Sequence, residues 1–225
     1  MSLILNIDTA TGDAHVSIAR DGILLLSLNN SSQKEHASFL QPAIQQLEKE
    51  TGITLEKLDA IAFTAGPGSY TGLRVGMASA KGLCYGLNKP MISLNTLTVW
   101  AASAIYSLKQ SLAEPSSLFC PMIDARRLEV FAAIYDSQLN IILNPCAIIL
   151  EDKSFEDQLV NNNIVFFGSG AKKWETMCTN KKALFETIDI LPPVMAQLSD
   201  NYFAKKLFTP LAHSQPLYCK DFKMG

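Results

Sequence analysis

Residues 3–28 read LILNIDTATGDAHVSIARDGILLLSL, and this stretch decides the fold. Its first six residues form a short apolar run that is typical of a buried strand. The following segment alternates, with Ala14, Val16 and Ile18 on one side, which predicts a second strand with one buried face. Asp21-Gly22 is a hairpin signal that leads into a third apolar segment. We therefore expect an opening of three antiparallel strands.

The same pattern returns in the second half of the chain. Ile7-Asp8 recurs as Ile123-Asp124, and Ile18 recurs at the same offset as Ile134. Each half then continues with a helix, a strand, a glycine turn and another helix. Self-similarity over half a chain indicates two duplicated α/β lobes rather than two unrelated domains.

This duplication sets the expected domain boundaries. We predict a first lobe at residues 1–110 and a second at residues 111–225, with residues 110–117 (QSLAEPSS) as the best hinge. A terminal helix at about 195–209 is expected to pack back on the first lobe.

Composition and targeting signals exclude several classes of protein. Of 225 residues, 48% are hydrophobic and 18% are charged, which excludes a disordered or collagen-like chain. The formal net charge of −2 argues against a free-standing nucleic-acid binder. The five cysteines form no C-x-x-C pair, so the sequence predicts neither a zinc knuckle nor a disulfide framework. Residues 1–20 lack a signal-peptide pattern and no apolar run could cross a bilayer, so we expect a cytoplasmic protein.

Two predicted turns have the residue types of a phosphate site, but few of its glycines. In actin-like ATPases and sugar kinases, glycines after a strand-ending Asp let backbone N–H groups reach phosphate oxygens. Here residues 8–13 (DTATGD) have one late glycine and residues 124–127 (DARR) have none. Autonomous ATP hydrolysis is therefore not expected. The side chains that remain as candidates for a phosphate contact are Asp8, Thr9, Thr11, Asp124 and Arg126.

No metal site or catalytic triad is predicted. Two zinc-binding histidines on a helix need i, i+4 spacing, whereas Leu40 stands four residues after His36. Ser69 lies in G-P-G-S-Y-T-G rather than in G-x-S-x-G.

The glycine-rich segment after Ser69 predicts a helix with two different faces. Gly72, Leu73, Gly76, Ala80, Leu83 and Leu87 fall on one side, which we expect to face the sheet. The other side contains Tyr70, Arg74, Met77, Ala78, Lys81 and Tyr85, residue types that are enriched in protein interfaces. The alternative is an ordinary surface on which long side chains cover apolar stems. Internal glycines cost about 1 kcal/mol each relative to Ala, so close backbone packing is expected to offset them.

Several segments together resemble the TsaB (YeaZ) family over nearly the whole chain. They are residues 3–22, 34–42 (KEHASFLQP), 65–86 (AGPGSYTGLRVGMASAKGLCYG), 90–97 (PMISLNTL), 122–135 (MIDARRLEVFAAIY) and 215–221 (QPLYCKD). The resemblance implies an α/β fold of two tandem ribonuclease-H-like lobes of the actin/Hsp70/sugar-kinase type. It implies a non-catalytic subunit that supports formation of N6-threonylcarbamoyladenosine at position 37 of tRNAs reading ANN codons.

The resemblance also implies partners and an interface. The first two helices, His36–Glu50 and Ser69–Leu87, are expected to form a bundle with a TsaD-like catalytic subunit or with a second copy of the chain. The expected interface residues are His36, Leu40, Ile44, Leu47, Tyr70, Arg74, Met77, Lys81 and Tyr85. A TsaE-like ATPase is a further expected partner, tRNA is reached only through the complex, and no membrane contact is expected. No cofactor is expected on the chain alone, and any ATP or ADP is expected at or near the partner interface.

Two alternatives from other classes stay open at this point. One is an actin-fold small-molecule kinase, which would require glycine-rich phosphate hairpins. The other is an M22-like metallopeptidase, which would require a helix with an H-x-x-x-H pair. The sequence has neither feature.

Overall fold

Two five-stranded sheets form the framework of the protein. The computed structural model describes residues 1–32, 35–108 and 117–219. Apart from Ser117, the predicted hinge at 110–117 lies outside these residues. The chain divides into two compact units, the first made of residues 1–96 and 191–217 and the second of residues 97–190 with 218 and 219.

The first unit is built around a central buried strand. Its elements are β1 (Leu3–Asp8), β2 (Ala14–Arg20), β3 (Ile23–Asn30), α1 (His36–Thr51), β4 (Ala60–Gly66), α2 (Tyr70–Leu87), β5 (Met91–Asn95) and α6 (Pro192–Ala204). The sheet order is β3-β2-β1-β4-β5, with β1 antiparallel to β2 and parallel to β4. Every residue of β1 is buried, and four of its six residues are apolar, which is typical of a central strand covered on both faces.

The second unit repeats this arrangement. Its elements are α3 (Thr96–Leu108), which begins at the boundary, β6 (Leu118–Asp124), β7 (Glu129–Tyr135), β8 (Ile141–Ile149), α4 (Glu156–Leu159), β9 (Ile164–Phe167), α5 (Ala171–Glu175) and β10 (Ala183–Glu186). The order β10-β9-β6-β7-β8 again places the first strand of the unit between its second and its fourth. This common topology confirms the predicted fold of two tandem α/β lobes.

The units divide at a different point from the predicted boundary. Residues 97–108 were expected in the first lobe, but they group with the second unit. The physical reason is apolar packing, since Leu97 and Ala101 share a cluster with Ile123 and Tyr135.

The first unit is completed by a late segment of the chain. Helix α6 packs against β1, β3 and β5. At one end, the Ser2 hydroxyl donates a hydrogen bond to the Asp200 carboxylate. Further along, Thr209 pairs with Met91 at the open edge of β5. The N-terminal and C-terminal parts of the sequence therefore share one core.

Candidate functional site

Helix α2 begins on a tight turn that is joined to the first hairpin. The Ser69 side chain caps the helix by accepting a hydrogen bond from the Gly72 N–H at 3.3 Å. The Ser69 N–H donates to the Ala10 carbonyl oxygen at 2.7 Å. Gly66, with φ of 119°, adopts a backbone conformation that favours glycine.

The inner face of α2 lies directly against the backbone of this hairpin. A Cβ atom at Gly68 would overlap the Ala10 carbonyl, and one at Gly72 would overlap the Thr9 carbonyl. A Cβ at Gly76 would overlap the Thr9 hydroxyl, which itself donates to the Gly72 carbonyl at 2.8 Å. The predicted orientation of the Gly76 side toward the sheet is confirmed, and close packing offsets the cost of these glycines.

The outer face of α2 has the opposite character. Ala78, Gly82, Tyr85 and Gly86 are all exposed, and Tyr85 is 85% exposed. A Cβ added at Gly82 or Gly86 would meet no atom within 4 Å. Nothing within the described chain therefore explains why these two positions are glycine. The sequence signal for this face is the small-residue spacing at 78, 82 and 86, which was not among the predicted interface residues.

Helix α1 lies beside α2 and adds a polar strip to this surface. The Gln41 amide donates to the Ser79 hydroxyl at 3.1 Å, which joins the two helices on their exposed side. Pro42 and Gln45 are also exposed. We call the exposed residues Gln41, Gln45, Ala78, Gly82, Tyr85 and Gly86 the outer helical face.

The structure corrects five of the nine predicted interface residues. The side chains of His36, Leu40, Ile44, Leu47 and Met77 are buried within the first unit. The four aliphatic side chains belong to its core, because the apolar stripe of each helix covers the unit's own sheet. These five residues are therefore not available as an exposed contact surface.

The other four predicted interface residues remain at the surface. Tyr85 lies on the outer helical face, and Tyr70 is 44% exposed at the start of α2. The Arg74 guanidinium lies over the Tyr70 ring, 3.9 Å from its centroid, in cation–π geometry. The Lys81 ammonium is half-buried and donates to the Ser214 carbonyl oxygen at 2.8 Å. Lys81 therefore ties α2 to the C-terminal segment.

The first hairpin buries two of its three candidate phosphate-contacting side chains. Asp8 and Thr9 are buried, and the carbonyl groups of Thr9 and Ala10 face the glycines of α2. Only Thr11 among the candidates on this hairpin is partly exposed. The side chains of Asp8 and Thr9 are therefore not exposed for contact with a ligand.

Asp8 has a complete set of partners on one oxygen and none on the other. Its Oδ1 accepts from the Ala10 N–H at 3.0 Å and from the Thr64 hydroxyl at 2.7 Å. Its Oδ2 is buried without a hydrogen-bond partner. Burial raises the pKa of Asp8, while these hydrogen bonds and the nearby rings of His15 and His36 partly lower it.

The second hairpin is exposed and held by a lysine. The Lys173 ammonium pairs with Asp124 Oδ1 at 2.6 Å. Partial burial alone would raise the pKa of Asp124, but the hydrogen bonds from Lys173 and the Arg126 N–H, together with the Lys173 charge, lower it below its ordinary value. Arg126 and Arg127 have φ of 72° and 49°, an uncommon conformation for residues with side chains.

The described residues form neither a cluster suited to a metal ion nor a helix suited to a membrane. Within residues 1–32, 35–108 and 117–219, no group of three or more His, Cys, Asp or Glu side chains is arranged to hold a metal ion. Over the same residues, no helix combines the length and apolar character needed to span a bilayer.

Known proteins resemble this chain in sequence and in fold. Residues 28–200 match the protein family described as TsaD: tRNA N6-adenosine threonylcarbamoyltransferase. The tRNA threonylcarbamoyladenosine biosynthesis protein TsaB of Escherichia coli (strain K12) is 27% identical over 97% of this chain and 94% of its own length. The protein of the same name from Haemophilus influenzae is 34% identical over 57% of this chain and 51% of its own. The solved structure of YeaZ from Pseudomonas aeruginosa has a TM-score of 0.81 at 24% identity, covering 97% of this chain and all of that one.

Proposed function

The chain belongs to the TsaB (YeaZ) family, and from this we propose that it is a non-catalytic subunit in the biosynthesis of N6-threonylcarbamoyladenosine. In this proposal it binds a TsaD-like catalytic subunit that modifies adenosine 37 of tRNAs reading ANN codons. A TsaE-like ATPase joins the complex, and tRNA is contacted through the assembly. Any ATP or ADP binds at or near the partner interface.

One observation carries the proposed mode of binding. Gly82 and Gly86 lie inside an 18-residue helix, are exposed, and have open space where a side chain would be. A glycine in a helix interior costs about 1 kcal/mol relative to Ala. Close packing offsets this cost at Gly72 and Gly76, but none of the residues that the structure describes offsets it at Gly82 and Gly86. A helix from another protein that packs against the α2 backbone would offset this cost.

The chemistry around these glycines supports the same conclusion. Tyr85 presents a large aromatic ring beside Gly82 and Gly86, and Gln41 offers amide groups at the rim. Tyrosine and arginine are enriched at the centres of protein interfaces because they combine large contact area with hydrogen-bonding groups. Tyr70 and Arg74 extend this surface toward the start of α2.

The same surface also suits self-association. A two-fold dimer uses one patch on both copies, so the outer helical face can pair with itself when the partner is absent. Homodimer and heterodimer are then mutually exclusive. Adding the partner to a homodimer should convert it into the heterodimer.

The non-catalytic part of the proposal is supported by the first hairpin. Its backbone around Thr9 and Ala10 is packed against α2, and the Asp8 and Thr9 side chains are buried. Leu40, where a helix-borne metal site would need a second histidine, is a buried core residue. Chemistry in the complex is therefore assigned to the TsaD-like subunit.

The test replaces Gly82 with Leu. A leucine side chain would keep a partner helix from approaching α2, and it favours the helical state over glycine, so the fold should be retained. Binding to the TsaD-like protein of the same organism is measured by calorimetry, and self-association by light scattering. Threonylcarbamoyladenosine in tRNA is measured by nucleoside mass spectrometry in a depleted strain that carries the variant.

Gly12→Leu is the matched control. Gly12 is exposed on the first hairpin, also has open space around it, and does not have a positive φ. We expect Gly82→Leu to weaken partner binding and self-association at least tenfold and to deplete the modified nucleoside. Gly12→Leu should change none of these three quantities. Normal binding by Gly82→Leu would place the interface elsewhere. Unchanged nucleoside levels in a strain that lacks the protein would overturn the proposed function itself.

A further inference from the structure

Three ionisable side chains from three elements meet beneath the first hairpin. Asp8 ends β1, and His15 is its direct cross-strand neighbour on β2. His36 is the first residue of α1, and its Nε2 lies 3.1 Å from the Gly12 carbonyl oxygen. Asp8 is 0% exposed and His36 is 2% exposed, whereas His15 is partly exposed and only its Nδ1 side is buried. The function proposed above uses none of these three side chains directly.

Hydrogen-bond chemistry fixes the state of the His36 ring. A carbonyl oxygen can only accept, so Nε2 must donate its N–H to Gly12. In a neutral imidazole the other nitrogen, Nδ1, then has a lone pair and no hydrogen. His36 Nδ1 is buried and has no partner, and the same holds for His15 Nδ1 and Asp8 Oδ2.

An ionised Asp8 with neutral histidines would therefore leave a buried charge that is stabilised by donors at Oδ1 but by none at Oδ2. Among the described residues, the ionisable groups that act on Asp8 are His15 from β2 and His36 from α1, and β4 supplies the Thr64 hydroxyl. Asp13, the other acid of the hairpin, is exposed. A lone buried carboxylate is costly, and one added proton both neutralises the group and turns one lone pair into a donor.

We propose that Asp8, His15 and His36 form a buried proton-binding site that holds one proton at neutral pH and fixes the start of α1. The proton belongs to the coupled group rather than to one atom. Burial, which raises the pKa of Asp8, acts in the same direction.

The site connects to the outer helical face through α1. The N-cap residue Glu35 makes no side-chain capping bond, and the first turn of α1 has no acidic residue. The His36 ring holds this helix end to Gly12, next to the hydrogen bond that the Asn30 amide donates to the Glu35 carboxylate at 3.4 Å. Loss of the proton leaves a net charge under the hairpin and weakens the hydrogen bond between His36 and Gly12. This coupling, but not the proton site itself, rests on the proposed function.

The sign of the pH effect follows from linkage. A folded state that binds a proton more tightly than the unfolded state loses stability as pH rises through the folded-state pKa. The slope of the logarithm of the unfolding constant against pH counts the protons involved, with a tenfold change per pH unit for one proton. Above pH 7 the parent chain should therefore show a slope that Asp8→Asn lacks.

The experiment measures urea unfolding of the full chain from pH 6 to pH 9. The parent, Asp8→Asn and the control His213→Gln, an exposed histidine outside the site, are compared. We expect the parent and His213→Gln to have the same slope of the logarithm of the unfolding constant against pH. The slope for Asp8→Asn should differ by an amount that corresponds to up to one proton. Equal slopes for the parent and Asp8→Asn would overturn the proposal and would indicate an ionised Asp8 solvated by internal water.

A second readout needs no substitution. Carbon-13 NMR of the Asp8 carboxyl and nitrogen-15 NMR of the two rings count the protons on the site directly at pH 7.5. The proposal is supported if the site holds one proton more than an ionised Asp8 and two neutral rings would hold. It is overturned if the site holds no such extra proton. Partner affinity at pH 6.5 and pH 8.5 tests the coupling: it should fall with pH in the parent and not in Asp8→Asn. If Gly82→Leu abolishes binding but the proton is absent, only the proton site is wrong.

Discussion

Thr9 contacts the Gly72 backbone through both its side chain and its own carbonyl group. The Thr9 hydroxyl donates to the Gly72 carbonyl at 2.8 Å, while the Thr9 carbonyl occupies the space where a Gly72 side chain would begin. This contact fixes the distance between the first hairpin and helix α2. The inner side of α2 is therefore closely packed, while a side chain added at Gly82 or Gly86 on its opposite side would meet no atom within 4 Å.

Substitutions at glycines on the two sides of α2 should have opposite effects on stability. Gly72→Ala is expected to destabilise the fold by about 1–3 kcal/mol, because its methyl group overlaps the Thr9 carbonyl. Gly82→Ala should stabilise it by about 0.5–1 kcal/mol, because that methyl group meets nothing and Ala favours the helix. Urea unfolding of both variants checks this. Destabilisation of similar size at the two positions would contradict the assignment of the two faces.

Met77→Glu should disrupt the fold rather than an interface. Met77 is 7% exposed and belongs to the core of the first unit, so the substitution buries a carboxylate among apolar groups. We expect the free energy of unfolding to fall by at least about 2 kcal/mol, because removing a buried Met side chain costs about 2–5 kcal/mol. Met77→Leu is the control and should cost less than about 1.5 kcal/mol. A well-folded Met77→Glu chain, as judged by circular dichroism and thermal unfolding, would show that Met77 faces outward.

The ion pair of the second hairpin should contribute to stability at neutral pH and lose that contribution in acid. Lys173 helps to lower the pKa of Asp124, so the gain is present above the unfolded-state value and disappears as pH falls through the lowered one. Asp124 is 43% exposed, so solvent screening keeps the effect below about 1 kcal/mol.

Lys173→Met should therefore raise the pKa of Asp124, which carboxyl carbon-13 NMR measures. Lys172→Met changes the neighbouring exposed lysine and should leave that pKa unchanged. Equal effects of the two substitutions would show that general charge, rather than the 2.6 Å contact, controls Asp124.

Cys84 should be inert to thiol reagents in the folded protein. Burial raises the pKa of its thiol to about 12, so almost no thiolate is present at pH 8, and the side chain is fully buried. Cys120 is equally buried, and burial raises its pKa well above the ordinary value. Peptide mapping after iodoacetamide treatment should find both cysteines unmodified in the native chain and modified in urea. Rapid native labelling of Cys84 would show that the α2–β4 packing opens.

The sequence was sufficient for the fold because the signals were local and repeated. The hairpin at Asp21-Gly22 and the recurrence of Ile7-Asp8 as Ile123-Asp124 predicted both lobes, and the inward side of α2 followed from helical periodicity. The interface assignment was wrong for Leu40, where it followed from the family resemblance, and for Met77, which the helical projection had placed on the outer side of α2. An apolar stripe shows that something covers a helix, but not whether the cover is the protein's own sheet or a partner.

Other features of the candidate site depend on contacts between distant segments. The meeting of Asp8, His15 and His36 follows from strand register and from the position of α1, neither of which is visible in spacing along the chain. Likewise, the roles of Gly72 and Gly82 differ only because Thr9 lies against one of them. A sequence pattern alone gives the two glycines the same helix penalty.

The sharing of one core by early and late segments has a consequence for synthesis on the ribosome. Ser2 contacts Asp200, and α6 covers strands that are translated well before it. The second unit is nearly continuous in sequence and can acquire its core while residues 191–217 are still inside the exit tunnel or untranslated. The first unit must wait with an open sheet surface until those residues emerge. The half of the protein that is translated first is therefore the half that matures last, and it is the one that a chaperone would need to protect.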